Sequence, residues 1–533
     1  MTHHHPFKNE PLLDFSEERN RRSVQEGLRE VGNLITKGAF YSRPIINGEE
    51  LRSGDTFSRT DPSDHTTTVG IVEFADIKMA ERAVATCAEG LRSWRATSTE
   101  DRAKSLNRMA SIMRERKSML TALIIREVGK TWREADADVA EAIDFCDYYA
   151  AEIRRIAPPR LTEQVMGEEN HYLYQPRGVT VVIAPWNFPL AIACGMAVAA
   201  LVTGNTVILK PAEQSSIIGH QLARIILEAG VPKDAFAFLP GKGEEVGPYL
   251  TAHPQVAMVV FTGSRPVGLS IVESAAKVHP GQRMIKKVVA ELGGKNAIIV
   301  DEDADFDDAV RGVLSSAFGF AGQKCSACSR LIVVGSAYEP FIERLAAATY
   351  DLIVGIGSDP SSFLGPVVDQ EAYERITSTI ASGSEQLTLL AQATVPAEIS
   401  QRGNFIPPTI FRDVPPSHKV WTDEIFGPVV ACMQARNFDH ALELATASEY
   451  ALTGGIFSRH PQNLAKAKEE FRVGNLYINR GITGALVGRQ PFGGFLMSGI
   501  GSKAGGPDYL LQFMEPRVVT ENTMRRGFTP DIA

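Results

Sequence analysis

One cysteine in this sequence has the neighbours that a nucleophile needs. Cys325 follows Gly319 and Gly322 and lies beside Lys324, between a helix-like run and a strand-like run. The small residues would let a substrate approach the backbone closely. Because a free cysteine has a pKa of about 8.5, a nucleophile here needs that pKa lowered by Lys324, by a helix end or by the charge of a bound cofactor.

Three interpretations of Cys325 stay open at this point. The first is a small buried thiol with a structural role. The second is a redox or metal motif formed by Cys325-x-x-Cys328, although no second CxxC or histidine pair accompanies it. The third is a lone nucleophile, for which no histidine lies nearby in the sequence to act as a base.

Further polar side chains occur where predicted strands pass into helices. Asn187, between Trp186 and Phe188, could donate a hydrogen bond to a developing oxyanion or could cap a helix. Lys210 and Glu213 place a cation and a carboxylate three residues apart. Such a pair could hold ribose hydroxyls or could belong to a solvated loop.

Glycine turns follow several of the same strands. The spacing of Gly241, Gly243 and Gly247 is one residue away from a dinucleotide fingerprint, and an ordinary turn explains it equally well. The turn Gly263-Ser264 begins a predicted helix, whose free N–H groups and dipole favour a phosphate.

A carboxylate beside two glycines is a further candidate. Glu291 precedes Leu292, Gly293 and Gly294 between two predicted strands. The glycines would let the carboxylate lie close to a substrate, and a plain glycine turn is the alternative.

The elements that must position these residues follow an α/β rhythm. Apolar strands are predicted at 179–183, 206–209, 235–239 and 256–261, each followed by a helix. A second series places strands at 296–300, 331–334, 429–431, 455–457 and 474–478, with helices at 306–318, 339–353, 438–448 and 462–471. Strands that are apolar on both faces and alternate with helices indicate buried parallel sheets, with ligands at the carboxyl ends of the strands.

The remaining segments frame this α/β body. Residues 17–30 and 76–151 are predicted to be helical, with Asp76 as an N-cap, and 41–75 to form short strands. Residues 156–176 are irregular and could protrude as a hairpin, and a strand-like piece occurs near 517–520.

Composition narrows the possible functions. The 533 residues predict two or three domains. A net charge of −8 without a basic block argues against nucleic acid and against an anionic membrane surface as binding partners.

The six cysteines are typical of reduced thiols in a cytoplasmic protein, and residues 1–20 lack a secretory signal pattern. The apolar run 189–204 is too short for a membrane span, which needs about 20 residues. The histidines at positions 3–5 have no further ligands nearby, so we expect no metal site.

Taken together, the motifs resemble those of the aldehyde dehydrogenase superfamily over residues 40–525. The matching pieces are, in chain order, Pro185-Trp186-Asn187-Phe188-Pro189, Lys210-Pro211-Ala212-Glu213, Phe261-Thr262-Gly263-Ser264, Glu291-Leu292-Gly293-Gly294-Lys295, Gly322-Gln323-Lys324-Cys325, Glu424-Ile425-Phe426-Gly427-Pro428 and Pro491-Phe492-Gly493-Gly494. Each piece alone is modest, but seven in order make the resemblance specific.

The resemblance implies a role for each matching residue. Cys325 would be the nucleophile, its own N–H and Asn187 the oxyanion donors, and Glu291 the base that activates water. Lys210 and Glu213 would hold the adenosine ribose of NAD, with Glu213 favouring NAD over NADP. The full set of implied cofactor-binding residues is Ala184, Trp186, Lys210, Glu213, Gly247, Phe261, Gly263, Ser264, Leu292, Glu424 and Phe426.

A narrower resemblance points to the 1-pyrroline-5-carboxylate dehydrogenases, which oxidise glutamate γ-semialdehyde in the second step of proline catabolism. It rests on the segments Phe7-Lys8-Asn9-Glu10-Pro11, Lys324-Cys325-Ser326-Ala327, Gly474-Asn475-Leu476-Tyr477-Ile478-Asn479-Arg480 and Thr483-Gly484-Ala485-Leu486-Val487-Gly488-Arg489-Gln490. The implied substrate-binding residues are Phe188, Ser326, Gly484, Ala485 and Phe492. Backbone N–H groups of small residues can form an anion nest for the substrate carboxylate. Cys328 and Arg489 are possible departures from the family pattern.

The resemblance also implies an architecture and partners. We expect an N-terminal helical segment at 1–40, a Rossmann-type NAD-binding domain at 41–155 and 178–291, and a catalytic domain at 292–500. Residues 156–177 and 501–533 would form an oligomerisation flap and C-terminal segment, which implies a homo-oligomer built from dimers. Proline dehydrogenase is the implied metabolic partner. The alternatives are a dehydrogenase of another semialdehyde, an acylating enzyme that uses coenzyme A, and a non-catalytic redox-sensing protein.

Overall fold

An eight-stranded sheet forms one half of the molecule. The computed structural model describes residues 7–524. The five central strands of this sheet are parallel, and the outer strands join antiparallel. Its strands are, in spatial order, Gly499–Ile500, Lys287–Glu291, Val256–Thr262, Val179–Ile183, Thr206–Lys210, Phe236–Phe238, Ile45–Ile46 and Glu49–Glu50. The central strands are rich in buried β-branched residues, as expected for a sheet covered on both faces.

A seven-stranded sheet forms the other half. All of its neighbouring strands are parallel except the first pair. The strands are, in spatial order, Thr388–Gln392, Thr409–Arg412, Val429–Ala435, Cys328–Val334, Asn296–Val300, Thr453–Phe457 and Asn475–Ile478. The carboxyl ends of the first sheet thus carry Glu291 and the turn after Thr262, whereas Cys325 precedes the central strand of the second sheet.

Helices cover both sheets. The longest, Trp132–Ile156, packs against the apolar helix Ala191–Val202, and the Sγ atoms of Cys146 and Cys194 lie 3.6 Å apart between them. The helices are Glu18–Thr36, Ile77–Ala96, Thr99–Glu115, Lys117–Val128, Trp132–Ile156, Ala191–Val202, Ser216–Glu228, Gly243–Ala252, Arg265–Ala276, Phe306–Phe318, Tyr338–Tyr350, Gln370–Gln386, Ala397–Ser400, Lys419–Thr422, Phe438–Thr446 and Pro461–Glu470. Short 3₁₀ turns are Glu213–Ser215, Gly319–Gly322, Gly335–Ala337 and Tyr509–Phe513.

A third sheet stands apart from the two main ones. The strands Arg160–Leu161, Glu168–Pro176 and Met514–Asn522 pair antiparallel, which confirms the predicted hairpin and the predicted C-terminal strand. Apolar side chains of this sheet and its connection remain exposed, among them Leu161, Met166 and Val518. The remaining strands, Tyr41–Ser42, Thr56–Asp61, Asp64–Glu73, Tyr450–Ala451 and Phe495–Leu496, belong to two small sheets.

The α/β prediction is confirmed, with shifts of a few residues at element ends. Asp76 caps its helix by accepting a hydrogen bond from the backbone N–H of Met79, as predicted. The single predicted helical region 76–151 is four helices, because turns interrupt it near residues 97, 116 and 130. The helix Gln370–Gln386 and the strand Lys287–Glu291 were not predicted. The predicted domain boundaries stay a prediction.

Within residues 7–524, none of the helices is both long and apolar enough to cross a membrane. The histidines at positions 3–5 lie outside the described residues.

Candidate active site

The loop that presents Cys325 has an unusual backbone. Phe320, Ala321 and Gly322 are three consecutive residues with φ between +53° and +69°. The left-handed region costs a non-glycine residue about 1 kcal/mol or more, so tertiary packing must hold this turn. A side chain at position 322 would collide with the backbone carbonyl of Gly427, which explains the glycine there.

Side-chain amides fix the loop on both sides of the cysteine. Asn296 donates hydrogen bonds to the carbonyls of Cys325 and Ala327, at 2.7 and 2.9 Å. The amide of Gln323 donates to Phe320 and accepts from the backbone N–H of Val368 at 2.9 Å. The position of the thiol is therefore set by the protein before any ligand binds.

Cys325 lies where two cavities meet. A cavity of about 780 Å³ runs along the carboxyl edge of the first sheet, and one of about 290 Å³ lies beside the helix Trp132–Ile156. Of the residues that line them, Cys325 and Thr262 belong to both. A thiol at this junction can react with a molecule in the smaller cavity while a second molecule occupies the larger one.

The larger cavity gathers most of the predicted cofactor residues. Those that line it are Trp186, Gly263, Ser264, Leu292, Glu424 and Phe426. Ser264 immediately precedes the helix Arg265–Ala276, so the positive end of that helix faces the cavity. The ring of Trp186 contacts Phe426 edge to face, with centroids 5.6 Å apart.

Two glycines explain how Glu424 reaches this cavity. Any side chain at Gly293 would overlap the Glu424 carboxylate, and the N–H of Gly294 donates to that carboxylate at 2.9 Å. Burial raises the pKa of Glu424. The glycine pair after Glu291 therefore seats a second carboxylate rather than forming a plain turn.

Five of the predicted cofactor residues do not line the larger cavity: Ala184, Lys210, Glu213, Gly247 and Phe261. The ring of Phe261 fills the space beside Gly263 and Gly268, so it packs against the turn Gly263-Ser264. Lys210 lies 3.2 Å from Glu213, whose carboxylate also accepts from the N–H of Gly243 at 2.6 Å.

The smaller cavity gathers all of the predicted substrate residues. Those that line it are Phe188, Ser326, Gly484, Ala485 and Phe492. Gly484 has φ +75°, and a side chain built there would point into open space. Phe188 is held from behind by the buried Lys130, whose Nζ lies 3.9 Å from the ring centroid and 2.9 Å from Asp138.

Glu291 lies in the smaller cavity with Cys325. A side chain at Gly493 would come within 2.7 Å of its carboxylate, so this glycine makes room for it, and the N–H of Gly494 donates to it. Burial raises the pKa of Glu291 to about 8, against the effect of the Lys503 ammonium. Such a carboxyl can exchange a proton near neutral pH, which suits a general base.

The thiol itself is held in its protonated form. Burial, with the carboxyl groups of Glu424 and Glu291, raises the pKa of Cys325 to about 12. Lys324, one of the three predicted activators, instead forms an ion pair with Glu134 at 2.6 Å. The backbone N–H groups of Cys325 and Ser326 lower the pKa of the thiol, but less than burial raises it.

Asn187 is buried and lines the larger cavity with Cys325. Its Nδ2 donates to the carbonyl of Gln323, two residues before the cysteine, at 3.1 Å. Because an amide carries two N–H donors, the second one can serve an oxygen bound at Cys325.

Several residues of the smaller cavity escaped the sequence analysis. Glu134 and Glu141 lie seven residues apart on one face of the helix Trp132–Ile156 and both line this cavity. Burial raises the pKa of Glu141 to about 8. The signal that could have found them is the i, i+7 spacing of two carboxylates, which places both on one face of this helix.

Cys328 is separated from the site. Its side chain is buried, and Sγ contacts the carbonyl of Arg330 at 3.5 Å. The six cysteines are free thiols, and residues 7–524 contain no cluster of three or more His, Cys, Asp or Glu side chains that could hold a metal ion.

Comparison with known proteins decides the family. A model of the aldehyde dehydrogenase family matches residues 50–519. This chain belongs to the aldehyde dehydrogenase family. Among curated relatives of this aldehyde dehydrogenase, 1-pyrroline-5-carboxylate dehydrogenase of Geobacillus sp. (strain WCH70) is 48% identical over 516 residues, covering 97% of this chain and 99% of the relative.

Solved structures agree with this assignment. A 1-pyrroline-5-carboxylate dehydrogenase from Thermus with bound NAD superposes with a TM-score of 0.94 at 45% identity, covering 98% of this chain and all of the other. Proline utilization A (PutA) from Bdellovibrio bacteriovorus superposes with a TM-score of 0.95 at 50% identity. This aldehyde dehydrogenase covers 54% of that PutA chain, about half its length.

Proposed function

We propose that this enzyme catalyses the NAD-dependent oxidation of L-glutamate γ-semialdehyde, formed when 1-pyrroline-5-carboxylate opens in water, to L-glutamate. The observation that carries the proposal is the position of Cys325 at the junction of two cavities, one lined by the predicted cofactor residues and the other by the predicted substrate residues. Relatives named 1-pyrroline-5-carboxylate dehydrogenase at 44–48% identity support the choice of substrate.

The larger cavity fits NAD in size and in chemistry. Its volume of about 780 Å³ lies within the range of cofactor sites. The free N–H groups at the start of the helix Arg265–Ala276 suit a pyrophosphate, and the Glu424 carboxylate suits ribose hydroxyls. We assign Lys210 and Glu213 to the adenosine ribose, where the Glu213 carboxylate would repel a 2′-phosphate and so favour NAD over NADP.

Catalysis begins at the thiol. The Cys325 thiol gives its proton to water, the thiolate so formed attacks the aldehyde carbon, and the N–H groups of Asn187 and Cys325 stabilise the resulting oxyanion. When bound, NAD supplies the acceptor for the hydride that leaves this carbon, which becomes a thioester. Glu291 then takes a proton from a water molecule that attacks the thioester, and the C–S bond breaks to release glutamate and the Cys325 thiol.

The smaller cavity explains the choice of aldehyde. We assign the hydroxyl of Ser326 and the backbone N–H groups of Gly484 and Ala485 to the substrate carboxylate, since small residues with a left-handed glycine can form an anion nest. Phe188 and Phe492 flank the aliphatic part of the substrate.

A comparison of two five-carbon aldehydes tests the substrate. We expect kcat/KM for glutamate semialdehyde to exceed that for pentanal, which lacks the carboxylate and the amine, by about 10³-fold or more, because unpaired polar groups in the site penalise pentanal. NADH formation at 340 nm measures both. Equal values would refute the substrate while leaving the aldehyde dehydrogenase chemistry intact.

The oxyanion role of Asn187 has its own test. We expect Asn187→Ala to lower kcat by about 10²–10³-fold, because one preformed donor to the oxyanion is lost. Asn33→Ala, at an exposed position of the helix Glu18–Thr36, serves as the matched control and should turn over normally. A kcat for Asn187→Ala equal to that of the control would remove Asn187 from the mechanism.

We further propose the setting in which the enzyme works. The exposed apolar side chains of the three-stranded sheet support a homo-oligomer built from dimers through residues 156–177 and 501–533. The six free thiols support a cytoplasmic location.

Proline dehydrogenase is the proposed metabolic partner, since PutA chains contain a region similar to this one. We assign cofactor binding to residues 41–155 and 178–291, and the nucleophile domain to 292–500.

A further inference from the structure

The N-terminal segment 7–14 lies along the smaller cavity. It contains no helix or strand, yet Glu10 and Leu12 line the same cavity as Cys325 and Ser326. The mechanism proposed above assigns no task to this segment, although the sequence analysis had singled out part of it.

A single side chain in this segment joins two walls of the cavity. The Nδ2 atom of Asn9 donates to the Asp144 carboxylate at 2.8 Å and to the carbonyl of Val487 at 2.9 Å. Asp144 belongs to the helix Trp132–Ile156, and Val487 follows Gly484 and Ala485 in the loop assigned to the substrate carboxylate. Asn9 therefore connects the helix to that loop.

The segment is fixed firmly enough to act as a support. The backbone N–H of Glu10 donates to the second oxygen of Asp144 at 2.6 Å, and the Glu10 carboxylate pairs with Arg114 at 2.7 Å. The ring of Phe7 packs edge to face on Tyr148, with centroids 5.1 Å apart. Contacts on both sides of Asn9 thus hold its side chain in place.

The loop, in contrast, is irregular and is held by single hydrogen bonds to other parts of the chain, among them those from the N–H groups of Ile482 and Gly488 to Ser316 and Gly505. It forms neither helix nor strand between residues 479 and 494, and Gly484 and Gly488 both have positive φ, at +75° and +71°. Glycines in such a loop leave the backbone free to move unless side chains hold it.

Residue type matters at position 9. The Asn9 amide offers two N–H donors on one nitrogen, one for each of the two acceptors here. An aspartate would place a second carboxylate beside Asp144, and a serine has one donor.

We propose that Asn9 is a positioning residue that holds the Gly484–Val487 stretch at the distance from Cys325 which the substrate carboxylate requires. This inference rests on the proposed function, because it assumes that the N–H groups of Gly484 and Ala485 bind the substrate carboxylate. Asn9 acts through the loop and touches neither the substrate nor the cofactor.

The test compares Asn9→Ala with Asn20→Ala. Asn20 is a matched control, since its amide donates a hydrogen bond in the N-terminal region, to the carbonyl of Asp14, and neither residue lines the cavity. For Asn9→Ala we expect KM for glutamate semialdehyde to rise about tenfold while kcat changes by less than about twofold, because loss of both hydrogen bonds of Asn9 frees the loop from the helix and weakens carboxylate binding. The constants for pentanal should not change.

Other outcomes separate the possible errors. An unchanged KM for the semialdehyde in Asn9→Ala, or an equal loss of kcat with both aldehydes, overturns the positioning role. Asn9→Asp should raise KM for the semialdehyde more than Asn9→Ala does. If the alanine variant unfolds, KM of the aspartate variant for the two aldehydes tests the same role. If the unmodified enzyme itself does not prefer the semialdehyde over pentanal, the proposed function fails, which is a separate result from a failure of the Asn9 variants.

Discussion

Replacement of Cys325 by alanine is expected to lower turnover by about 10⁴-fold or more while leaving NAD binding unchanged. In the proposed mechanism, the thiol forms the covalent bond on which both hydride loss and hydrolysis depend, and no second thiol within residues 7–524 lines either cavity. Cys328, three residues on, is buried behind the loop, with its sulfur against the carbonyl of Arg330. Turnover is followed by NADH absorbance, and cofactor binding by quenching of tryptophan fluorescence.

Cys328→Ala is the matched control for this prediction. It removes a thiol from the same loop and should retain turnover within about threefold, because small buried cysteines act mainly as packing residues. Normal turnover in Cys325→Ala would show that another group is the nucleophile. Loss of turnover in Cys328→Ala alone would revive the redox interpretation of the pair.

Replacement of Glu291 by glutamine should separate the two halves of the reaction. The hydride step does not need a water base, so we expect one rapid burst of about one NADH per active site, followed by turnover about 10²–10⁴-fold slower. The slow phase is hydrolysis of the thioester without its base. Rapid mixing with absorbance detection measures the burst, and mass spectrometry should find the acyl group on Cys325.

The pH dependence follows from the same residue. Burial raises the pKa of Glu291 to about 8, so its basic form increases as the pH rises through that value. Hydrolysis should therefore accelerate between pH 7 and about 9 in the unmodified enzyme, and Glu291→Gln should lose this dependence. The exposed Glu273→Gln serves as a control. A full steady-state rate without a burst in Glu291→Gln would exclude Glu291 as the base.

The sequence allowed the sheets and the site composition to be predicted because both leave local signals. Continuous β-branched runs such as residues 179–183 identify buried parallel strands, and glycine turns after them identify the ligand edge. The strand Lys287–Glu291 was missed because it is short and is bounded by charged residues, Lys287 at its start and Glu291 at its end, with only Val289 and Ala290 buried. Its last residue is Glu291, so its position at the sheet edge became clear only from the structure.

What could not be predicted depends on partners that are distant in the sequence. Lys324 was one of three groups that could have activated its neighbour Cys325, but it forms an ion pair with Glu134, 190 residues away. The carboxylate that the glycine pair 293–294 accommodates is Glu424, 130 residues later. Local spacing indicates that a small residue is needed, whereas only the fold shows which group fills the space.

The high pKa of Cys325 bears on how readily this cysteine is damaged by oxidants and electrophiles. Burial raises the pKa of Cys325 to about 12, which favours the neutral thiol at neutral pH. Oxidants and stray electrophiles attack thiolates, not thiols, so the resting protein is shielded from the damage that a permanently activated cysteine would suffer. With Lys324 paired to Glu134, the positive charge of a bound nicotinamide ring would add to the backbone N–H groups that lower the pKa of the sulfur. Reactivity would then appear only when the hydride acceptor is already in place.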